Sequence, residues 1–374
     1  MKTPNTLTRM KKDQAVTMRV LEQICDVSDS DFAEIVEYLP RVRNERERLA
    51  GERNMAYSRY YRYRLSELQR KLYDELLLGM EERKQKIHSG NYSVQDMQTV
   101  LYAINFDNPS LYYVDFGKIK IMQSAFFSIF VITYYCNADT QRTIDKKIKA
   151  VTDLLRKQVI GLSMQSAALM LHDWLVSRCS YGECDTFPNA AHSIVGALLY
   201  SKCVCEGYAK AYKYLADLVK IRCLVVTGKG IHPDGTENGH AWNIIKMNDH
   251  FYHVDVTFDL LIANRYCSRA YFLLSTKEIL HDHSMDESVE LPVCTSNGSI
   301  LKKVSGTEEL LRFLENEYRK RVTHSEVRLT KGFTKEKLMS MISKKLSAKD
   351  AAWAHQIASY WYGDYCRTLF VCWR

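Results

Sequence analysis

The sequence predicts an α+β protein whose centre is a helix packed on an antiparallel sheet. Two observations carry that expectation. Tyr208, Tyr212, Leu215 and Val219 recur at steps of four, three and four, the apolar stripe of a helix seated on a core. Downstream, Gly239–Met247 and His250–Thr257 alternate with period two and meet at Asn248-Asp249, residues suited to a two-residue hairpin turn. On either side the character changes, to a mostly helical stretch before and a mixture of helix and strand after. The expected division is therefore 1–140, an N-terminal helical region with a small β hairpin; 141–295, the domain that holds this helix and sheet; and 296–374, a small α+β appendage.

Taken in order, Asp31 with Glu34 forms a capping box for a helix that Pro40 ends. A long helix is expected from Arg41 to Ile87, with Leu65, Leu68, Leu72 and Leu76 as its core stripe and Gly90 as its stop. Ser93 with Asp96 starts the next, Val94 to Ile104, and Asp107-Asn108-Pro109 turns the chain. Leu111–Phe116 and Ile119–Tyr135, rich in aromatic and β-branched residues, predict a hairpin. Ile144, Ile148, Val151 and Leu155 mark a helix, and Met164–Arg178 a second one. Its His172 is read as a satisfied core or surface histidine. Ile221–Thr227 is a buried strand ending at Gly228. After the hairpin, Arg269–Ser275 is a strand. In the tail a helix runs to about Arg321, Ser325–Thr330 is a strand, Lys335–Leu346 a helix and Ser359–Trp373 an aromatic strand.

The hairpin carries an argument about chemistry. If Asn248-Asp249 is the loop, Met247 pairs with His250, His240 faces Thr257 and Asp255 faces Trp242. Side chains alternate across a strand, so these four share one face, with His240 and Asp255 diagonal neighbours roughly 7–8 Å apart at the backbone. A carboxylate there can hold an imidazole nitrogen. Cys205 opens the helix, where the dipole and free N–H groups favour thiolate. The same amides are candidate oxyanion donors.

Cys205-Glu206-Gly207-Tyr208-Ala209, Gly239-His240-Ala241-Trp242-Asn243 and Tyr252-His253-Val254-Asp255-Val256-Thr257 together resemble the bacterial branch of the transglutaminase-like (transglutaminase/cysteine protease) superfamily. The resemblance spans mainly residues 165–285, including His172-Asp173-Trp174-Leu175 and Tyr271-Phe272-Leu273-Leu274-Ser275. It implies a papain/transglutaminase-like catalytic core with Cys205 as nucleophile, His240 as base and Asp255 as its orienting carboxylate. Tyr181, upstream of the thiol, is the candidate side-chain oxyanion donor. Asp282-His283 resembles a further family feature without an assigned role. Two motifs depart from the family: Cys203 stands where glycine is usual before the nucleophile, and Phe258 replaces a tryptophan.

The implied activity is cysteine-nucleophile acyl transfer on protein or peptide amide bonds through a thioester, transglutaminase-like or cysteine protease-like. The alternatives are a catalytically degenerate domain kept as a protein-binding module, and an acyltransferase using a small thioester donor, against which Gly-His-Ala-Trp speaks. No cofactor is called for. Zinc on Cys179, Cys184, Cys203, Cys205 and His192 is disfavoured, because C-x4-C and C-x-C are not the spacings of common zinc modules. Eleven cysteines in a 374-residue chain without an apolar leader or an 18-residue apolar run are read as reduced thiols in a cytoplasm, with no membrane span. The formal charge of +8 is partly local. Arg41–Lys71 holds ten Lys/Arg against four Glu, with Arg59, Arg62 and Arg64 among tyrosines. This basic helix is a candidate contact for an acidic partner, and nucleic acid is not expected.

Overall fold

The computed structural model describes residues 59–374 apart from 232–234, 264–266, 287–288, 331, 347–351 and 364–365. The Asp31/Glu34 capping box, the stop at Pro40 and most of the Arg41–Lys71 basic stretch lie outside the described residues. Packing divides the chain into two compact units, of which the first includes Leu65–Val100 and Lys118–Ile132 and the second Ser58–Arg64, Leu101–Gly117 and Thr133–Arg374.

The first unit contains helix α1 (Glu67–Glu81) and strand β1 (Lys86–Gly90); α2 (Val94–Asp107) begins in it and runs into the second unit. Strands β2 (Lys120–Gln123) and β3 (Phe127–Val131) complete a three-stranded sheet in the order β1-β3-β2. The single helix expected as far as Ile87 is not formed. Ser66 accepts the Gln69 N–H while Gln69 Oε1 accepts the Ser66 N–H, a capping box that starts a new helix. Ile87 is in β1, where it packs so closely on Gly79 of α1 that a Cβ there would stand 2.5 Å from its Cδ1. Leu72 and Leu76 are buried as expected, whereas Leu68 is exposed. Of the hairpin expected from Leu111 onward, Val114 forms a single antiparallel bridge with Tyr134 and the strands proper are β2 and β3, the chain making 3₁₀ turns at Pro109–Leu111 and Phe116–Lys118.

The second unit carries the site. A one-turn helix, Tyr60–Arg64, begins with the Tyr61 and Arg62 N–H groups donated to the Asp107 carboxylate. Helices α3 (Ala138–Val159) and α4 (Met164–Arg178) follow, capped by Asn137 and Ser163. Short strands β4 (Ser180–Tyr181) and β5 (Lys202–Cys203) pair in parallel and deliver the chain to α5 (Cys205–Leu218). Then come β6 (Arg222–Ile231), β7 (Glu237–Met247), β8 (His250–Val254), α6 (Val256–Ala263), β9 (Phe272–Leu274), α7 (Thr276–Ile279) and β10 (His283–Met285). They build a five-stranded antiparallel sheet in the order β10-β6-β7-β8-β9. Helix α5 buries Tyr208, Tyr212 and Leu215, the stripe read from the sequence, and Asn243 of β7 donates to the Ala209 and Leu224 carbonyls at 2.9 and 3.3 Å, tying α5, β6 and β7 together.

The tail adds β11 (Lys303–Val304), α8 (Thr307–Arg319), β12 (His324–Leu329), α9 (Lys335–Leu346), β13 (Ile357–Gly363) and β14 (Thr368–Trp373). Its four strands run in the order β11-β12-β14-β13. The aromatic run expected as one strand is a pair, because β13 and β14 fold back on each other from Gly363↔Thr368. Two residues of β12 reach into the loop before β9. Glu326 accepts Ser268 Oγ and the Arg269 N–H at 2.6 and 2.9 Å, and Arg328 donates to the Ala270 carbonyl.

Candidate functional site

The turn before α5 sets the thiol. Val204, the cap residue, supplies no side-chain hydrogen bond, so the first-turn N–H groups are left to other acceptors. Gly207 lets this turn press on the preceding 3₁₀ turn, since a Cβ would meet the Ala191 carbonyl oxygen at 2.2 Å. Cys205 is partly exposed and Cys203 is buried. Burial, and then a hydrogen bond with Cys179, push the Cys203 thiol far above its ordinary range. A chemically silent Cys203 beside an accessible Cys205 is the result. The Tyr181 hydroxyl lies within hydrogen-bond reach of Cys205, and partial burial, followed by the charge of that sulfur, raises its pKa.

The imidazole comes from β7. The two-residue turn at Asn248-Asp249 has the expected register, Met247↔His250 through Asn243↔Val254. Beyond that the expectation fails. Thr257 is not a strand residue opposite His240 but part of α6, because Asp255 ends the strand and caps the helix, its Oδ1 accepting the Thr257 and Phe258 N–H groups at 2.9 and 3.0 Å. The carboxylate is left with Oδ2 facing His240, whose Nε2 stands 2.6 Å away. An ionised carboxylate only accepts, so Nε2 carries a proton and Nδ1 is the nitrogen left for the sulfur. Burial of His240 works against its charge, but the Asp255 carboxylate and hydrogen bonds to Asp255 and Cys205 prevail and raise its pKa to about 10. The same pairing overcomes burial at Asp255 and holds its carboxyl well below the usual range.

The sheet is bare where these groups meet. His240 is paired with Gly228 of β6, and Gly230 of β6 with His283 of β10. A Cβ on Gly230 would stand 2.9 Å from Phe258 Cζ and 3.4 Å from His240 Cγ. His283, left without a role by the sequence, reaches over this gap to Asp255, Nε2 to Oδ2 at 2.9 Å. The Gly-Lys-Gly spacing in β6 together with Asp282-His283 is the signal that could have located it. Below, Trp242 Nε1 donates to His253 Nδ1 at 3.0 Å, and His253 Nε2 therefore donates to Thr276 Oγ1 at 3.1 Å. Burial, and then the charge of His283, lower the His253 pKa to about 3, so that ring is neutral.

His172 is buried as expected and has the partners that the sequence did not reveal. Nδ1 meets Asp173 and Nε2 meets Asp259, both at 2.9 Å, under α6. His240, Asp255 and His283 form one group with donor atoms within 4.8 Å, and His172, Asp173 and Cys267 another. Cations use such spacings, yet these nitrogens and oxygens already satisfy one another in the hydrogen bonds above, and both groups are read as polar networks. His192, weighed for zinc, instead shares Glu206 with Lys210, at 3.1 and 2.7 Å. The described cysteines are all free thiols. No helix among the described residues is long and apolar enough to cross a membrane.

Helix-borne thiol, strand-borne imidazole and capping carboxylate on an antiparallel sheet define an α+β protein with a papain/transglutaminase-like core. Residues 146–256 match the model of the transglutaminase-like superfamily, and the chain carries a domain of that superfamily. Among solved structures it is similar to a TGase, at 11% identity over 59% of this chain and 59% of that one, TM-score 0.29. It is also similar to the periplasmic domain of TgpA from Pseudomonas aeruginosa, at 18% identity over 36% and 55%, TM-score 0.24. A third is a candidate cysteine protease from Cytophaga hutchinsonii, at 14% over 49% and 80%, TM-score 0.26. The chain thus spans less than two thirds of the first two structures' own length. No curated protein matches it.

Proposed function

We propose that the protein is a cysteine-nucleophile acyl-transfer enzyme acting on amide bonds of proteins or peptides, with Cys205, His240 and Asp255 as its catalytic residues. The observation that carries this reading is His240, held by Asp255 at 2.6 Å through Nε2 and near enough to Cys205 for a hydrogen bond between them to help raise its pKa. Cys205 Sγ, having already given its proton to His240 Nδ1, attacks the amide carbonyl. The oxyanion is met by first-turn N–H groups of α5 and by the Tyr181 hydroxyl. Collapse breaks the C–N bond, and the leaving nitrogen takes the proton from His240. An amine or water then opens the thioester by the same route in reverse. Asp255 stays ionised throughout and stabilises the imidazolium.

Within this reading, residues 141–295 form the catalytic part, 1–140 a mostly helical region and 296–374 an appendage. The family match inside the first range and the separate sheet β11–β14 inside the last support that division. The free, largely buried thiols support a reducing, cytoplasmic setting, and Arg41–Lys71 is offered as the contact for an acidic partner. The test is to incubate the protein with a glutamine-containing protein and a fluorescent amine, following amine incorporation and peptide-bond cleavage together. Either activity, lost in Cys205→Ala, is the expected result; neither, from a folded wild type over a range of protein substrates, would count for a binding module.

A further inference from the structure

Asp255 serves two imidazoles, not one. His240 and His283 both direct Nε2 at the same oxygen, Oδ2, at 2.6 and 2.9 Å. Both must donate, since Oδ2 belongs to an ionised carboxylate. The other nitrogen of His283, Nδ1, lies 2.6 Å from Asp282 Oδ1, and Asp282 Oδ2 accepts a hydrogen bond from the Tyr271 hydroxyl. An imidazole with an ionised carboxylate at each end carries a proton on both nitrogens. Burial opposes that charge, but the hydrogen bonds and charges of Asp255 and Asp282 raise the His283 pKa. Trp242, Phe258 and Tyr271 wrap the ring at centroid distances of 5.0, 4.4 and 5.7 Å. The two histidine rings are 5.3 Å apart across the bare glycines of β6.

We propose that His283 is a positioning residue: an imidazolium fixed by Asp282 that shares the Asp255 oxygen with His240, orienting the carboxylate and drawing off part of its charge. This rests on the Cys205–His240–Asp255 reading above. Its purpose follows from the work asked of His240. A buried carboxylate serving one imidazole alone would hold the proton so firmly that His240 could not return it to a leaving amine, whereas a second donor on Oδ2 weakens that grip. The titratable groups facing His240 are Cys205 from α5, Asp255 from the β8–α6 junction and His283 from β10. Those facing His283 are Asp255 and Asp282, with Tyr271 and the neutral His253 beside them. With His240 neutral the cluster of Asp255, Asp282 and His283 has a net charge of −1, and the proton on His240 brings it to zero. Without the His283 charge the cluster is at −2, and His240 binds its proton harder.

The experiment is a pH titration of ¹⁵N-histidine-labelled full-length protein, following the His240 ring nitrogens by NMR, assigned by their loss in His240→Asn. In His283→Gln the His240 midpoint is expected to rise by at least about one pH unit, the effect of removing a unit charge roughly 5 Å away in a partly polar interior. Asp282→Asn keeps the ring but removes the carboxylate that holds its second proton, and should shift His240 the same way by less. This variant also guards against His283→Gln failing to fold. A His240 midpoint unmoved in a folded variant would overturn the proposal. Iodoacetamide labelling of Cys205 in the wild type at pH 6 reports separately on the catalytic reading. Labelling no faster than a free cysteine would overturn that reading, with the His240 shift still deciding whether His283 tunes Asp255.

Discussion

Replacing Asp255 by Asn tests the site and the fold with one substitution. The asparagine keeps one oxygen for the Thr257 and Phe258 N–H groups, and Asn caps helices about as well as Asp, so the start of α6 should survive. Its amide NH₂, however, faces the two Nε2–H donors. His240 must turn its proton to Nδ1, leaving no acceptor for the thiol. By analogy with triad enzymes, activity should fall by about 10²–10⁴-fold. The stability effect depends on pH in a definite direction. The His240 pKa is raised from 6.5 to about 10, so its pairing contributes fully below about 6.5 and is lost as pH rises toward 10. Asp255 is shifted down, so its share is present above the ordinary carboxylate range and is lost on acidification. The rise at His240 corresponds to at most about 5 kcal/mol. Urea unfolding of wild type and variant from pH 5 to 10 should therefore show a gap that is widest near pH 5–6 and narrows by several kcal/mol toward pH 10. A gap independent of pH, or equal turnover by the two proteins, would refute the placement of Asp255.

Brief sub-stoichiometric alkylation near pH 6, mapped by mass spectrometry, should label Cys205 first; preferential labelling of Cys203 or Cys179 would reverse the assignment. Gly230→Ala should lower the Cys205 alkylation rate roughly tenfold at a stability cost of about 1–2 kcal/mol, because the added methyl displaces Phe258 and crowds His240; an unchanged rate would show that β6 has room for a side chain. Tyr181→Phe should reduce acyl transfer by about 10–10³-fold while leaving alkylation of Cys205 intact, since alkylation forms no oxyanion. Loss of both would make Tyr181 a support for the thiol. Peroxide followed by dithiothreitol should restore Cys205 labelling equally in wild type and Cys203→Gly, because Cys203 has no solvent exposure from which to trap an oxidised neighbour.

What was legible in the sequence was local. The stripe on α5, the turn at Asn248-Asp249 and the order of thiol, imidazole and carboxylate follow from periodicity and turn chemistry. The end of β8 was not legible, because Val256-Thr257-Phe258 has strand propensity and only the side chain of Asp255, bonded back to the chain, makes a helix there. The break at Ser66 was missed for the related reason that leucines spaced for one helix also fit two helices joined by a cap. Asp282-His283 stood out in the sequence but its role did not, because that role depends on β10 pairing with the glycines of β6 more than fifty residues away. The partners of His172 were hidden likewise, Asp259 being 87 residues distant.

The grip of β12 on the loop before β9 bears on how this chain can be dissected. Glu326 holds Ser268 and Arg269, and Arg328 holds Ala270, immediately before Tyr271. Ser268 and the Tyr271 N–H in turn satisfy Asp259, and the Tyr271 hydroxyl reaches Asp282. A chain cut at residue 295 would retain Cys205, His240, Asp255 and the whole five-stranded sheet, yet it would expose the side of this loop that β12 now covers. The excised piece would then lose order first at the third layer of contacts behind His240, far from the thiol, before the sheet itself came apart.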